Sequence, residues 1–266
     1  PAQKLFRITD FPVISPSLNK EENKILYYKK EGGDLFSSNL DGKNQTKISN
    51  ITIVGLVEAL WSRLKDRAAV FYLDGETLKG FLHIGTSSVA TLPQNVKGFS
   101  WSPDGKSLAY LLSQNDRLNL LVADSSGRGA KSVFSTPIPD ASISWVTSDK
   151  ISFSTAPSGF AEGYLYAFSR ASGAFQKIAG PLFGLSALWS PDGSRVLVAT
   201  TNAAGKNLDL AVRDSSGKEL FLAGAKTLPQ KCAWRDQNII YCAVPRLILP
   251  ETVWPDDYLR GEINTS

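Results

Sequence analysis

The chain has no methionine, one histidine (His83) and two cysteines (Cys232 and Cys242) in 266 residues. A single histidine excludes His-rich transition-metal centres and leaves one candidate for an imidazole base. No stretch approaches the ~18 uninterrupted apolar residues of a membrane-spanning helix, so no membrane-spanning segment is expected in this chain. Charge runs are also missing: 29 Lys+Arg stand against 25 Asp+Glu, and a net charge of +4 without basic blocks argues against a nucleic-acid partner. No P-loop or dinucleotide fingerprint occurs, and Gly184-Leu185-Ser186-Ala187-Leu188 lacks the closing glycine of a nucleophile elbow. No cofactor, metal ligand set or catalytic residue is therefore assigned. Pro1 opens the chain with neither an initiator Met nor a secretory pattern, which leads us to expect a processed or excised chain whose targeting segment lies upstream. Disorder is excluded as well, because 42% hydrophobic and 20% charged residues suffice for a core.

What the chain does have is a repeat. Trp101-Ser102-Pro103-Asp104-Gly105 recurs letter for letter at Trp189-Ser190-Pro191-Asp192-Gly193. Weaker copies stand at Trp61-Ser62, at Trp145 with Ser148-Asp149-Lys150, and at Trp234-Arg235-Asp236, with steps of 40, 44, 44 and 45 residues between tryptophans. A further copy begins near Ile14-Ser15-Pro16, where the tryptophan is replaced and the following turn, 18–23, is longer. Pro, Asp and Gly in succession suit a tight turn between apolar strands: Pro presets φ, Asp bonds its own backbone, and Gly takes positive φ. A second hairpin follows in each copy, turning at Asp124-Ser125-Ser126-Gly127 or Asp214-Ser215-Ser216-Gly217, and then a last strand.

About four strands per ~40–45 residues without helical periodicity are the mark of propeller blades. The sequence thus predicts an all-β fold: a six-bladed β-propeller of four-stranded blades, one domain over 1–266. The blades are anchored near Ile14, Trp61, Trp101, Trp145, Trp189 and Trp234. The repeated tryptophans are expected to pack between blades. Lys4–Thr9 is expected to supply the outer strand of the last blade and close the ring. That last blade either lacks a strand or is completed by Tyr258–Ile263.

Cys232 and Cys242 flank the turn Asp236-Gln237-Asn238 and would face each other across a hairpin, within reach of a disulfide. The competing arrangement is two buried free thiols. A disulfide would imply an oxidising, extracytoplasmic compartment. The segment Leu247–Tyr258 breaks the repeat and sets Trp254 and Tyr258 among prolines, either as partner-binding residues or as a cap on the last blade's apolar edge. His83 falls on the third strand of the second blade, where a packed or surface role is expected. Asp34, Asp41, Asp66, Asp104, Asp192 and Asp236 fall mostly in turns, so a cation site would require several of them to converge.

With its Trp-Ser-Pro-Asp-Gly turns, the chain resembles the TolB-like β-propeller repeats of bacteria, strongly at 99–111 and 187–198 and more loosely elsewhere. Arg7–Val13 and Ile48–Gly55 resemble bacterial proteins that carry a propeller outside the cytoplasm behind an N-terminal membrane anchor. The resemblance implies an extracytoplasmic, membrane-tethered binding protein, and Asp104 and Asp192 carry over as turn formers. The functional expectation is a non-catalytic binding or scaffolding propeller contacting a protein or cell-envelope partner. Two alternatives stand beside it: an envelope hydrolase of peptide or glycan using carboxylates in a central channel, and a glycan-binding module using exposed aromatics.

Overall fold

The computed structural model describes residues 7–85 and 88–263. The chain divides into two compact units, Pro1–Pro137 and Ile138–Ser266. The first unit holds three antiparallel four-stranded sheets. The first sheet is β1 (Val13–Leu18), β2 (Lys24–Lys29), β3 (Leu35–Asn39) and β4 (Thr46–Lys47). The second is β5 (Leu56–Trp61), β6 (Arg67–Asp74), β7 (Thr77–Ile84) and β8 (Ser88–Thr91). The third is β9 (Val96–Trp101), β10 (Ser107–Gln114), β11 (Arg117–Asp124) and β12 (Lys131–Thr136).

The second unit departs from the expected separate blades. Its strands β13 (Ala141–Trp145), β14 (Lys150–Thr155), β15 (Glu162–Ser169), β16 (Phe175–Trp189), β17 (Arg195–Thr201), β18 (Asp209–Asp214) and β19 (Glu219–Leu222) form one seven-stranded sheet. The long β16 ends one repeat and begins the next, because its middle is paired on both sides despite register shifts flanking it: Phe183 pairs with both Glu162 and Thr201. The last repeat contributes a two-stranded sheet, β20 (Cys232–Trp234) and β21 (Ile240–Cys242). Tyr258 does not extend it. Asp256–Leu259 is a short helix, α1, and Glu262 and Ile263 are irregular. The closing strand expected at Lys4–Thr9 lies outside the described residues up to Phe6. Arg7, Ile8 and Thr9 are not strand, and the Ile8 carbonyl accepts a hydrogen bond from Gln45 Nε2 at 3.4 Å.

Burial follows position in each sheet. The second strands carry unbroken buried runs, Ala68–Phe71, Leu108–Leu111, Ile151–Phe153 and Val196–Ala199. The last strands are the most exposed, and all four residues of β19 are open to solvent. Sheets stack through shared cores. Tyr28 and Leu35 of the first sheet pack with Ala59, Ala68 and Val70 of the second, and Phe71 and Leu82 of the second pack with Phe99 and Trp101 of the third.

Three of the repeated tryptophans latch their strand to the repeat before, whereas Trp189 Nε1 is buried without a hydrogen-bond partner among the described residues. The indole Nε1 of Trp61 donates to the Ser15 carbonyl at 2.8 Å, Trp101 to Leu60 at 2.7 Å, and Trp234 to Leu188 at 3.1 Å. Each acceptor immediately precedes the tryptophan position of the repeat before it. In the first repeat that position is Pro16.

Candidate functional site

The turns that carry the motif aspartates are structural. Ser102 Oγ donates to Asp104 at 2.6 Å, and Asp104 also accepts the Lys106 amide at 3.0 Å. Ser190 and Ser194 hydroxyls each reach Asp192 at 2.7 Å. These serine and backbone bonds hold both carboxyls below the usual carboxylate range. Asp236 accepts from the amides of Asn238 and Ile239, and Asp34 pairs with Lys47 at 2.8 Å. Asp41 faces Lys43 at 3.7 Å. Among the described residues no three His, Cys, Asp or Glu side chains come together.

The concave feature with the richest chemistry lies between the first and second sheets, a cleft of about 430 Å³. Leu26, Tyr28, Leu35, Ile48 and Trp61 form its apolar and aromatic lining. Lys20 and Glu21 from the long first turn, with Lys65, Asp66 and Arg67 from the second repeat's turn, add charge. Asp66 is already occupied: Arg67 reaches it at 2.6 Å and Ser62 Oγ at 2.9 Å, so its carboxyl lies below its ordinary range. Arg67 is held in turn by Ser125 Oγ at 2.7 Å.

His83 lines this cleft from β7 and is 2% exposed, so the packed role expected for it is the one observed. Its Nδ1 lies 2.8 Å from the hydroxyl of Tyr28, a residue wholly buried on β2. Burial pushes the Tyr28 phenol up and the His83 imidazole down, so both groups are neutral at pH 7. Tyr28 Oη has no second hydrogen bond among the described residues, so its proton is assigned to Nδ1. Nε2 then carries the imidazole hydrogen, and Nε2 is buried without a partner.

The depressed histidine gives a pH dependence of definite sign. The unfolded chain takes up a proton near pH 6.5, while the folded chain does so only at lower pH. The contribution is therefore full above about pH 6.5 and is lost as pH falls from there toward the native value, by about 1.4 kcal/mol per pH unit in that window. Urea denaturation at pH 7 and pH 5 should show a larger loss for the parent than for His83→Phe. Equal losses in the two would refute the assignment.

Lys65 belongs to no functional motif of the sequence. It occupies the repeat position held by Gly105 and Gly193, whose φ values are 68° and 70°, and its own φ is 58°. A Cβ at Gly105 would meet the Leu64 side chain at 2.9 Å, and one at Gly193 would meet Thr147 at 2.6 Å. Lys65, at the corresponding position, lines the cleft. The signal was legible only by aligning the turns and noting a lysine where left-handed backbone favours glycine.

The C-terminal segment is tied down in the second unit. Trp254, expected as a partner contact or a cap, is 3% exposed and packs in a core with Leu197, Leu210, Val212 and Leu228. Its amide donates to the Gly205 carbonyl at 2.8 Å, and Asp256 accepts the Gly159 amide at 2.6 Å. Tyr258 stays half-buried, with Lys231 Nζ 5.1 Å above its ring. Cys232 and Cys242 are disulfide-bonded and stand opposite each other in the β20–β21 register, the first of the two arrangements that the hairpin spacing allowed. Leu247 is 74% exposed, and Val244 and Leu249 are also open to solvent. No helix among the described residues is long and apolar enough to cross a membrane.

These antiparallel sheets, recurring along the chain with their tryptophan-anchored turns, define an all-β repeat protein of the propeller class. Within that class the fold is TolB-like. A protein assigned as TolB in Agrobacterium tumefaciens superposes with a TM-score of 0.57 at 16% identity, covering 80% of this chain and 83% of the other. TolB from Acinetobacter baumannii gives 0.55 at 17% identity, covering 85% of this chain and 58% of its own. The β-propeller domain of the trilobed protease from Pyrococcus furiosus gives 0.57 at 15% identity, covering 78% and 70%. No protein-family model and no curated protein matches the sequence.

Proposed function

We propose that the chain is a non-catalytic, extracytoplasmic binding module: one six-bladed propeller over residues 1–266 that docks a protein or cell-envelope partner. The observation that carries this reading is the apolar margin after β21, where Val244, Leu247 and Leu249 are 52%, 74% and 50% exposed. Exposed apolar side chains grouped on one short segment mark interaction surfaces in soluble domains. The segment is fixed on both sides, by the disulfide at Cys242 and by the burial of Trp254. Trp254 thus contributes by positioning the segment, and Tyr258 is the half-exposed aromatic beside it. The disulfide supports an oxidising compartment, and the likeness to TolB supports a protein partner. The resemblance of 7–13 and 48–55 to anchored bacterial propellers adds a membrane tether to the proposal.

Cross-linking and affinity capture from native envelopes test the reading. The parent chain should recover a defined partner, and a Leu247→Asp/Leu249→Asp variant should lose most of it while melting at the parent temperature. Equal recovery by both, or recovery of the bare chain alone, would overturn the proposal.

A further inference from the structure

We propose that the cleft between the first and second sheets is a binding site for a small apolar or aromatic carboxylate, with Lys65 as the anchor for its anionic group. This site is independent of the partner-binding margin, which belongs to the other compact unit.

The repeat itself shows what is unusual here. At the same turn position the third repeat has Gly105 and the fifth has Gly193, both in left-handed backbone that suits glycine. Lys65 adopts that backbone at φ 58°, a conformation unfavourable for a residue that carries a side chain. It forms no ion pair among the described residues. Burial and the nearby positive charge of Arg63 push its ammonium below the ordinary lysine range, with no carboxylate acting in the opposite sense. Both carboxylates of the cleft are engaged elsewhere: Asp66 is taken by Arg67 and Ser62, and Glu21 accepts from Asn19 Nδ2 at 2.8 Å. Lys65 is thus an uncompensated cation at a cleft, placed there against local backbone preference.

The rest of the cleft says what the anion is attached to. Its volume of about 430 Å³ lies within the ~300–1,000 Å³ of small-molecule pockets. The Tyr28 and Trp61 rings lie 5.6 Å apart and, with Leu26 and Ile48, give the cleft an apolar lining. His83 supplies the second polar feature, since its buried Nε2 lacks a hydrogen-bond partner, and such groups are rare in folded proteins. A ligand oxygen that displaced the side chains covering that N–H would satisfy it. A cation, an apolar wall and a single unsatisfied N–H donor together fit a monocarboxylate with a ring or branched body. That chemistry is shared by free aryl-alkyl acids and by the carboxyl terminus of a peptide ending in an aromatic residue.

The single histidine makes the test direct, because the chain has only one imidazole to observe. Uniformly ¹⁵N-labelled full chain is titrated with 3-phenylpropionate, with an acetylated tripeptide ending in phenylalanine, and with the amide counterpart of each. Saturable shifts of the His83 imidazole and Trp61 indole resonances are expected with a carboxylate. They should weaken about tenfold or more for its amide, which lacks the charge-assisted bond. Binding of the free acid alone would assign a small-molecule ligand, and binding of the peptide alone would assign a chain terminus; either supports the site. Lys65→Gly restores the residue of the other repeats, so it should fold at least as well as the parent and bind about tenfold more weakly. Amides binding as well as acids, unchanged affinity in Lys65→Gly, or no saturable shift at millimolar ligand would each overturn the proposal.

Discussion

Trp254→Ala is expected to lower the thermal midpoint by on the order of 10 °C, the consequence of losing about 3–5 kcal/mol from a large buried aromatic. The side chain is 3% exposed, and its core includes Leu197, Leu208, Leu210, Val212 and Leu228 from the preceding repeat. Removing the indole leaves a cavity lined by β-sheet side chains that cannot close it, because their backbone is fixed in the ladder of β17 and β18. The amide bond from Trp254 to Gly205 anchors the segment beside the void, which limits collapse further. Tyr258→Ala is the control: a half-buried ring on the four-residue helix α1 should cost far less. Calorimetry or far-UV circular dichroism on the two variants decides the matter. A Trp254→Ala midpoint within a degree or two of the parent would show that the ring is a surface contact and that its burial is not stabilising.

Trp101→Ala is expected to be similarly damaging, about 3–5 kcal/mol by chemical denaturation, for two separable reasons. The ring is 7% exposed and meets Phe99 edge-to-face at 5.1 Å within a core shared by the second and third sheets. Its Nε1 also donates to the Leu60 carbonyl at 2.7 Å, joining the two sheets. Trp101→Phe keeps most of the apolar surface but strands that carbonyl, and should cost roughly 1–3 kcal/mol through the unpaired acceptor and the smaller ring. A Trp101→Ala cost below about 1 kcal/mol would remove the latch from any account of how the sheets stay stacked.

The tryptophan positions, the turns and the disulfide pair could all be read from sequence because each depends on local rules. Trp-Ser-Pro-Asp-Gly describes its own turn: the Asp104 carboxyl bonds an amide two residues on, and Gly105 takes the positive φ that closes it. Cys232 and Cys242 face each other because a short antiparallel hairpin has only one register that pairs its flanks. Where the turn signal misled or weakened, sequence reading did less well. Ile178–Leu185 carries Gly180-Pro181 and Gly184, which read locally as a break, yet β16 runs from one repeat into the next because neighbouring strands pair on both sides of them. Tyr258–Ile263 has no helical period long enough to read, and α1 forms from four residues held by contacts such as the Asp256 bond to Gly159.

The cleft is the clearest case of information carried by distance along the chain. Tyr28 and His83 are 55 residues apart, and their 2.8 Å bond exists only because two separate hairpins stack. A lone histidine in Phe81-Leu82-His83-Ile84 announces a strand and nothing about its partner. Lys65 was visible as a departure from the repeat, but its lack of a counter-charge depends on which residues line the cleft.

By itself the sequence determined an all-β repeat protein with a tryptophan at the same point of five repeats, aspartates engaged in turns, and a cysteine pair across a hairpin. These follow from alternation, turn chemistry and register, which act over a few residues. Only the tertiary structure decided that Trp254 is core, that Leu247 and Leu249 are open to solvent, and that a neutral histidine and an uncompensated lysine share one cleft. Burial and electrostatic compensation are set by whichever distant segments pack nearby, and no local pattern encodes them.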